Sequence, residues 1–421
     1  MTTQKNKSYL NVASPYKTVS PKSSHVDFLV RVITPEKEKQ NVRKNIAIVI
    51  DTSGSMSGRP LQDAIQGASA FIDMCGPDDQ VALVSYSYQA HVLSAPLLCS
   101  EANKKALKHH LAALSAGGDT ALHAGWLHGA QQIAPFVDRF DLSRVILLSD
   151  GGANVGQSVP EEFKKDAARL LIAGISTSTF GLSMHFNEQI MTSLAQGGHA
   201  FYAENSSQLF DYFGSEHNMI SLSSARRVRI KSSEGTLLND FPTDDGFVLL
   251  PDTLVGGETW CVLRVKNEKG AKLSVLAEWQ EGGEVLTDSL TLTVGASKSN
   301  VKTKEHGDIL ERVKELDAAA LQREAAEKAR QGRWSDVNEI VGSLRGMAMG
   351  NAYVSNVAAA LSTMSVSCDA NALSKEALYA SATMNSRTIL KDDDVKVSTD
   401  KLGLKKSAQG LASSSKEGEK S

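Results

Sequence analysis

Four cysteines in 421 residues, Cys75, Cys99, Cys261 and Cys368, are too few and too scattered for a disulfide framework or a zinc site. Their apolar or helical neighbours predict buried free thiols instead. Charge of one sign is also lacking. A net charge of -3 argues against a strongly basic nucleic-acid binder, so no nucleic-acid partner is expected. Long apolar runs are absent as well, and no stretch reaches the roughly 20 residues that a membrane-spanning helix needs. The opening M-T-T-Q-K-N-K-S-Y-L-N-V has no apolar core of a secretory signal, and the expected location is cytoplasmic. Missing too is any Gly-x-x-x-x-Gly-Lys-Ser/Thr phosphate loop.

What is present describes an ordinary globular protein, 41% hydrophobic and 22% charged, long enough for two or three domains. The most informative stretch is Asn45 to Met56, N-I-A-I-V-I-D-T-S-G-S-M. Its apolar run suits a strand buried on both faces, and it stops abruptly at Asp51. Asp51, Ser53 and Ser55 then recur at every second position, so a loop leaving the strand could turn three oxygen-bearing side chains toward one point. Small oxygen donors around a carboxylate suit a hard divalent cation such as Mg²⁺. The plainer alternative is a Ser/Gly turn whose side chains bond local backbone. Two later stretches favour the site: Gly117-Gly118-Asp119-Thr120 between helical patterns, and a second apolar strand from Arg144 that ends in Asp150-Gly151-Gly152. Open parallel sheets place sites at the carboxyl ends of strands, which would bring Asp51 and Asp150 to one edge.

Asp51-Thr52-Ser53-Gly54-Ser55, then Thr120 in a Gly-Gly-x-Thr loop, then Asp150 closing a strand, resembles the metal-ion-dependent adhesion site of von Willebrand factor A domains, in particular soluble bacterial ones. The resemblance covers 45–224, about two fifths of the chain. It implies that Ser53, Ser55 and Thr120 bind the cation directly, and that Asp51 and Asp150 do so directly or through water. It also implies an open coordination position that takes an Asp or Glu of a partner protein. The cation expected is Mg²⁺, with Mn²⁺ or Ca²⁺ as alternatives.

Strands alternating with amphipathic helices across 45–224 independently predict a Rossmann-like, doubly wound, mostly parallel α/β sheet. Ahead of it, 1–24 is polar and reads as a loosely ordered lead. The strand in 25–36 has no evident partner in the α/β layer. Short alternating strands at 225–298 predict a small all-β sandwich, which the 25–36 strand could complete. From 303 to 388 two apolar stripes joined at Gly332 read as a helical hairpin, followed by two more helices. Trp334 reads there as a packing anchor. The Lys-, Asp- and Ser-rich segment 389–421 reads as a disordered tail.

His109, His110, His123 and His128 tempt a metal assignment. His123 and His128 are five apart and do not stack on one helical face, so a surface or helix-lining role is expected. Two function classes compete. One is a non-enzymatic, metal-dependent interaction protein, an adaptor or scaffold, with an AAA+ ATPase as a partner that the resemblance suggests. The other is a metal-dependent hydrolase or phosphotransferase on the same sheet edge. For that chemistry the second acid two residues after Asp51 is replaced by Ser53, Gly54 to Gly58 centres on Met56 rather than a serine, and no His or Lys is placed as general base. The residue types favour binding.

Overall fold

The computed structural model describes residues 7–36, 41–150, 152–182, 187–203, 206–386 and 389–390. Strands β1 (Tyr9–Ala13), β2 (Tyr16–Val19) and β3 (His25–Ile33) come first. The alternating region follows: β4 (Lys44–Asp51), α1 (Arg59–Met74), β5 (Gln80–Tyr86), β6 (Ala90–Leu98), α2 (Glu101–Ala112), α3 (Leu122–Ile133), β7 (Leu142–Ser149), α4 (Pro160–Ile172), β8 (Ile175–Leu182), α5 (Glu188–Leu194), β9 (Gly197–Ala203) and α6 (Ser206–Ser221). Eight strands come next: β10 (Arg226–Ser232), β11 (Thr236–Leu237), β12 (Thr243–Asp244), β13 (Phe247–Leu249), β14 (Gly257–Lys266), β15 (Ala271–Glu281), β16 (Glu284–Ala296) and β17 (Val301–Lys302). Helices α7 (His306–Arg330), α8 (Trp334–Met347), α9 (Ala352–Ser367) and α10 (Ala370–Ser386) precede a short β18 (Ile389–Leu390).

The central sheet has the order β6-β5-β4-β7-β8-β9, and every neighbouring pair is parallel except the β5–β6 hairpin. Every residue of β4, β5, β7 and β8 is buried, as strands covered on both faces require. Ile46, Ile48 and Ile50 pack under Phe71 of α1 and Phe213 of α6. Ala47 and Val49 face Trp126 of α3 and Phe163 of α4 on the opposite side. Each such large side chain contributes about 1.5–3 kcal/mol by leaving water. The helix α3 lies close on the sheet because Gly125 has no side chain: a Cβ there would stand 2.4 Å from the ring of Tyr86. This is the doubly wound α/β layer that the strand–helix alternation predicts.

Two further sheets form a sandwich. One has the order β1-β3-β14-β11, with β18 also on β14; the other runs β12-β13-β10-β15-β16-β2-β17. Phe28, Val30, Val32, Cys261 and Leu263 of the first meet Ile230, Val275, Ala277 and Trp279 of the second. The strand β3 pairs antiparallel with β14 from His25↔Lys266 to Ile33↔Glu258. The α/β layer therefore interrupts this sandwich between β3 and β10.

The polar lead does not behave as a loose segment over its described part. β1 pairs antiparallel with β3, and β2 pairs parallel with β16 and antiparallel with β17. Both strands are short and half-exposed, so their composition is polar; the nearby β3 supplies the hydrogen bonds of β1, and partners almost 300 residues away in sequence supply those of β2. The expectation for the tail falls mostly on residues outside those described. Its first part differs from that expectation, since β18 pairs with Gly257 and Glu258 of β14.

The outer face of the smaller sheet is covered by helix. Leu29, Trp260 and Val262 pack against Ile309, Val313 and Leu316 of α7. Arg312 lies over the Trp260 ring at 4.9 Å and pairs with Glu258 at 2.7 Å. The turn from α7 to α8 runs through Gly332 at φ +71°, and α9 and α10 complete a helical core. Trp334 packs partly buried against that core. Cys75, Cys99 and Cys261 are buried free thiols, whereas Cys368 is exposed because it caps the end of α9 in a left-handed conformation at φ 51°. Among the described residues no helix is long and apolar enough to cross a membrane.

Candidate metal centre

Asp51 is the last residue of β4, and register places it beside Tyr86, the last of β5. Its neighbour Thr52 still bonds to the sheet, N–H to the Tyr86 carbonyl at 2.7 Å, before the chain turns through Ser53 to Met56. Asp51 is fully buried. Its Oδ1 accepts the Ser53 N–H at 2.8 Å, and its Oδ2 accepts the hydroxyls of Ser149 at 2.7 Å and Tyr86 at 3.2 Å. Burial pushes the carboxyl above its ordinary value, and hydrogen bonds from Ser53, Ser149 and Tyr86 only partly offset that cost. None of these partners is a cation.

Above this carboxylate stand two hydroxyls. Ser53 Oγ and Ser55 Oγ are 3.1 Å apart, and Ser55 Oγ donates to Asp150 Oδ1 at 2.8 Å. Hydrogen bonds thus link Asp51, Ser53, Ser55 and Asp150 in one cluster at the carboxyl ends of β4 and β7. Asp51, Ser53 and Asp150 are buried, while Gly54 and Ser55 are exposed, so the cluster opens to solvent on that side.

Thr120 joins through backbone. Gly54 N–H donates to the Gly118 carbonyl at 2.9 Å, and Gly117 N–H to the Thr52 carbonyl at 2.8 Å, which clamps the glycine loop against the serine loop. Gly118 has φ +83°, a left-handed conformation that favours glycine. Thr120 itself is buried, with its N–H on Asn154 Oδ1 at 2.7 Å and its carbonyl accepting Asn154 N–H at 3.2 Å. Of the glycines after Asp150, Gly151 lies outside the described residues.

The donor set is oxygen only, and among the described residues no group of three His, Cys, Asp or Glu could hold a metal. That chemistry fits a hard cation. Adjacent ligands of an octahedral Mg²⁺, each about 2.1 Å from the ion, lie about 3 Å apart. The serine oxygens at 3.1 Å stand at that separation. Asp51, with both oxygens already engaged, suits contact through water, while Ser53 and Ser55 can turn toward an ion directly.

The histidines lie elsewhere. His123 Nε2 is 3.0 Å from Asp166 Oδ2, and its ring meets Phe163 edge-on, so it ties α3 to α4. His128 Nδ1 lies 2.9 Å from the Ala124 carbonyl of its own helix, and His109 and His110 are exposed on α2. Sequence reading missed Tyr86, Ser149 and Asn154, which orient Asp51 and Thr120. Ser149 directly precedes Asp150, and Tyr86 ends the strand beside Asp51, so strand-end position was the signal available.

Residues 45–214 match the family described as von Willebrand factor type A domain. Inter-alpha-trypsin inhibitor heavy chain H3 of Rattus norvegicus is 26% identical over 170 residues, covering 38% of this chain and 19% of that one. The chain thus spans about a fifth of that relative's length. Two solved structures share the fold across far more of the chain. The von Willebrand factor type A protein from Catenulispora acidiphila has a TM-score of 0.65 at 14% identity, covering 86% of this chain and 91% of that one. The ArnB paralog VWA2 from Sulfolobus acidocaldarius has a TM-score of 0.64 at 17% identity, covering 90% of this chain and 99% of that one. The α/β layer, its strand-end cluster and the family match coincide at 45–214, so this stretch of the chain carries the von Willebrand factor type A domain, in a fold shared with the two solved structures.

Proposed function

We propose that this protein is a non-enzymatic, metal-dependent interaction module, an adaptor or scaffold that binds a divalent cation at a metal-ion-dependent adhesion site. Ser53, Ser55 and Thr120 supply neutral oxygens, and Asp51 and Asp150 hold the ion directly or through water. Mg²⁺ is the resident cation on donor chemistry, with Mn²⁺ and Ca²⁺ as competitors. The ion, when bound, supplies an open coordination position for an Asp or Glu of a partner protein. The observation that carries this reading is a fully buried carboxylate with no protein cation among the described residues, under two hydroxyls at ligand-ligand spacing and open to solvent.

Among the described residues, Ser53 and Ser55 bond to each other and Ser55 donates to Asp150, with no His or Lys on either hydroxyl. That arrangement supports ligation over nucleophilic attack. An AAA+ ATPase is the partner class that the sequence resemblance suggests.

Isothermal titration with Mg²⁺ and Mn²⁺, followed by partner capture with and without EDTA, tests the reading. The expected result is one saturable site and a partner retained only with metal. A protein that binds no divalent ion at millimolar concentration contradicts it.

A further inference from the structure

The rim of the cluster includes exposed glycines, and beside them stands an exposed aromatic side chain. Gly54, Gly117 and Gly118 are exposed and present no side chain, and a Cβ at Gly117 would meet nothing within 4 Å. Next to them stands Tyr88, 61% exposed, more than any other Phe, Tyr or Trp among the described residues. Its position follows from the sheet. Tyr86 sits in register with Asp51 on the neighbouring strand, where it donates to that carboxylate. Tyr88 is two residues further on, in the turn between β5 and β6, and β5 lies about 5 Å from β4. The Ser87–Gln89 turn, closed by Ser87 N–H on the Gln89 carbonyl at 3.1 Å, carries it out of the core.

This turn is also tied to the ligand loops. Ala121 N–H donates to the Ser87 carbonyl at 2.7 Å, next to Thr120, and a Cβ at Gly118 would lie 3.8 Å from the Tyr88 nitrogen. The turn that carries Tyr88 is therefore tied by backbone to the residue that follows Thr120.

We propose that Tyr88 is the aromatic anchor of the partner surface, packing on an apolar side chain within about three residues of the acidic residue that reaches the ion. This rests on the metal-dependent interaction reading above. The physical case is complementarity of two kinds. A cation ligated by neutral hydroxyls keeps positive character toward an outside carboxylate, which fixes one point of the partner. A carboxylate alone carries little sequence information, and an adjacent tyrosine adds a second point by burying apolar area at low entropic cost and excluding water from the first. The occupant is an acidic segment with an aromatic or aliphatic neighbour, not a polyacidic tract.

A displayed library of peptides with a fixed central Asp and random flanks, selected on the whole chain in Mg²⁺ and eluted with EDTA, tests this. Eluted peptides should carry an aromatic or aliphatic residue near the Asp. They should bind Tyr88→Ala about tenfold more weakly and Tyr88→Phe nearly as well as the parent, while Mg²⁺ titration of Tyr88→Ala stays unchanged. EDTA-eluted peptides without apolar preference, or with equal affinity for Tyr88→Ala, overturn the anchor and leave the metal reading standing. No EDTA-eluted peptide at all overturns both.

Discussion

Two buried carboxylates of the α/β layer, Asp51 and Glu216, are both fully shielded from solvent and have opposite electrostatics. Glu216 on α6 pairs with Arg144 of β7 at 2.6 Å, lies 2.9 Å from His199 Nδ1 of β9, and accepts the Ser178 hydroxyl at 2.6 Å. Burial pushes its carboxyl up, but Arg144, His199 and Ser178 together pull it down to about 2. Asp51 meets only neutral donors, and its carboxyl stays raised. Arg144 lies near the amino end of its strand, whereas Asp51 ends its own, so the two carboxylates occupy opposite ends of the sheet. One charge is neutralised from within the chain and is structural. The other lacks a counter-charge among the described residues, which the proposed cation would supply.

The largest effect expected is on the internally neutralised site. Glu216→Ala leaves Arg144 buried without its carboxylate and should destabilise the fold by about 3–5 kcal/mol, read by urea denaturation. Its pH dependence has a definite sign. The folded carboxyl sits at about 2, below its ordinary 4.5, so its stabilisation is complete above about pH 4.5 and fades as pH falls toward 2. The stability gap between parent and Glu216→Ala should narrow over that window. A gap that does not change with pH would break the contrast.

At the other carboxylate the sizes reverse. Asp51→Asn should change metal-free stability by less than about 1.5 kcal/mol, because it weakens hydrogen bonds while removing a desolvated charge. Mg²⁺ affinity should fall about 10–100-fold, as loss of a group that orients ligands does elsewhere. Comparable loss of stability in the two variants would make Asp51 a structural residue like Glu216. The smallest effect is sought at Thr120→Ala. It removes one neutral oxygen and no charge, so titration should show a weaker loss of Mg²⁺ affinity than in Asp51→Asn, with the loop still held by Asn154.

Much of the fold was legible because its signals are local. The apolar run at Ile46–Ile50 marks a doubly buried strand, and the helix stripes mark the layers on either side. Asp51, Ser53, Ser55 and Asp150 could be singled out because a ligand loop needs small oxygen donors where a strand ends, and the structure links them by hydrogen bonds. The lead was misread because edge strands need not be apolar: β1 and β2 take their hydrogen bonds from β3, β16 and β17. Cys368 was misplaced because a helix cap turns its side chain out regardless of the apolar helix before it.

The sequence by itself determined the strand–helix alternation, the buried strands and the oxygen-bearing side chains at the strand ends, because these follow from side-chain chemistry over a few residues. Only the tertiary structure decided which carboxylate acquired a protein cation. Arg144 and Glu216 are 72 residues apart in the chain, and their pairing exists only once α6 packs across β7. It also decided that Tyr86 and Ser149 hold Asp51, and that Tyr88 emerges beside them. Register between parallel strands is set by the packing of whole faces, and no local pattern encodes it.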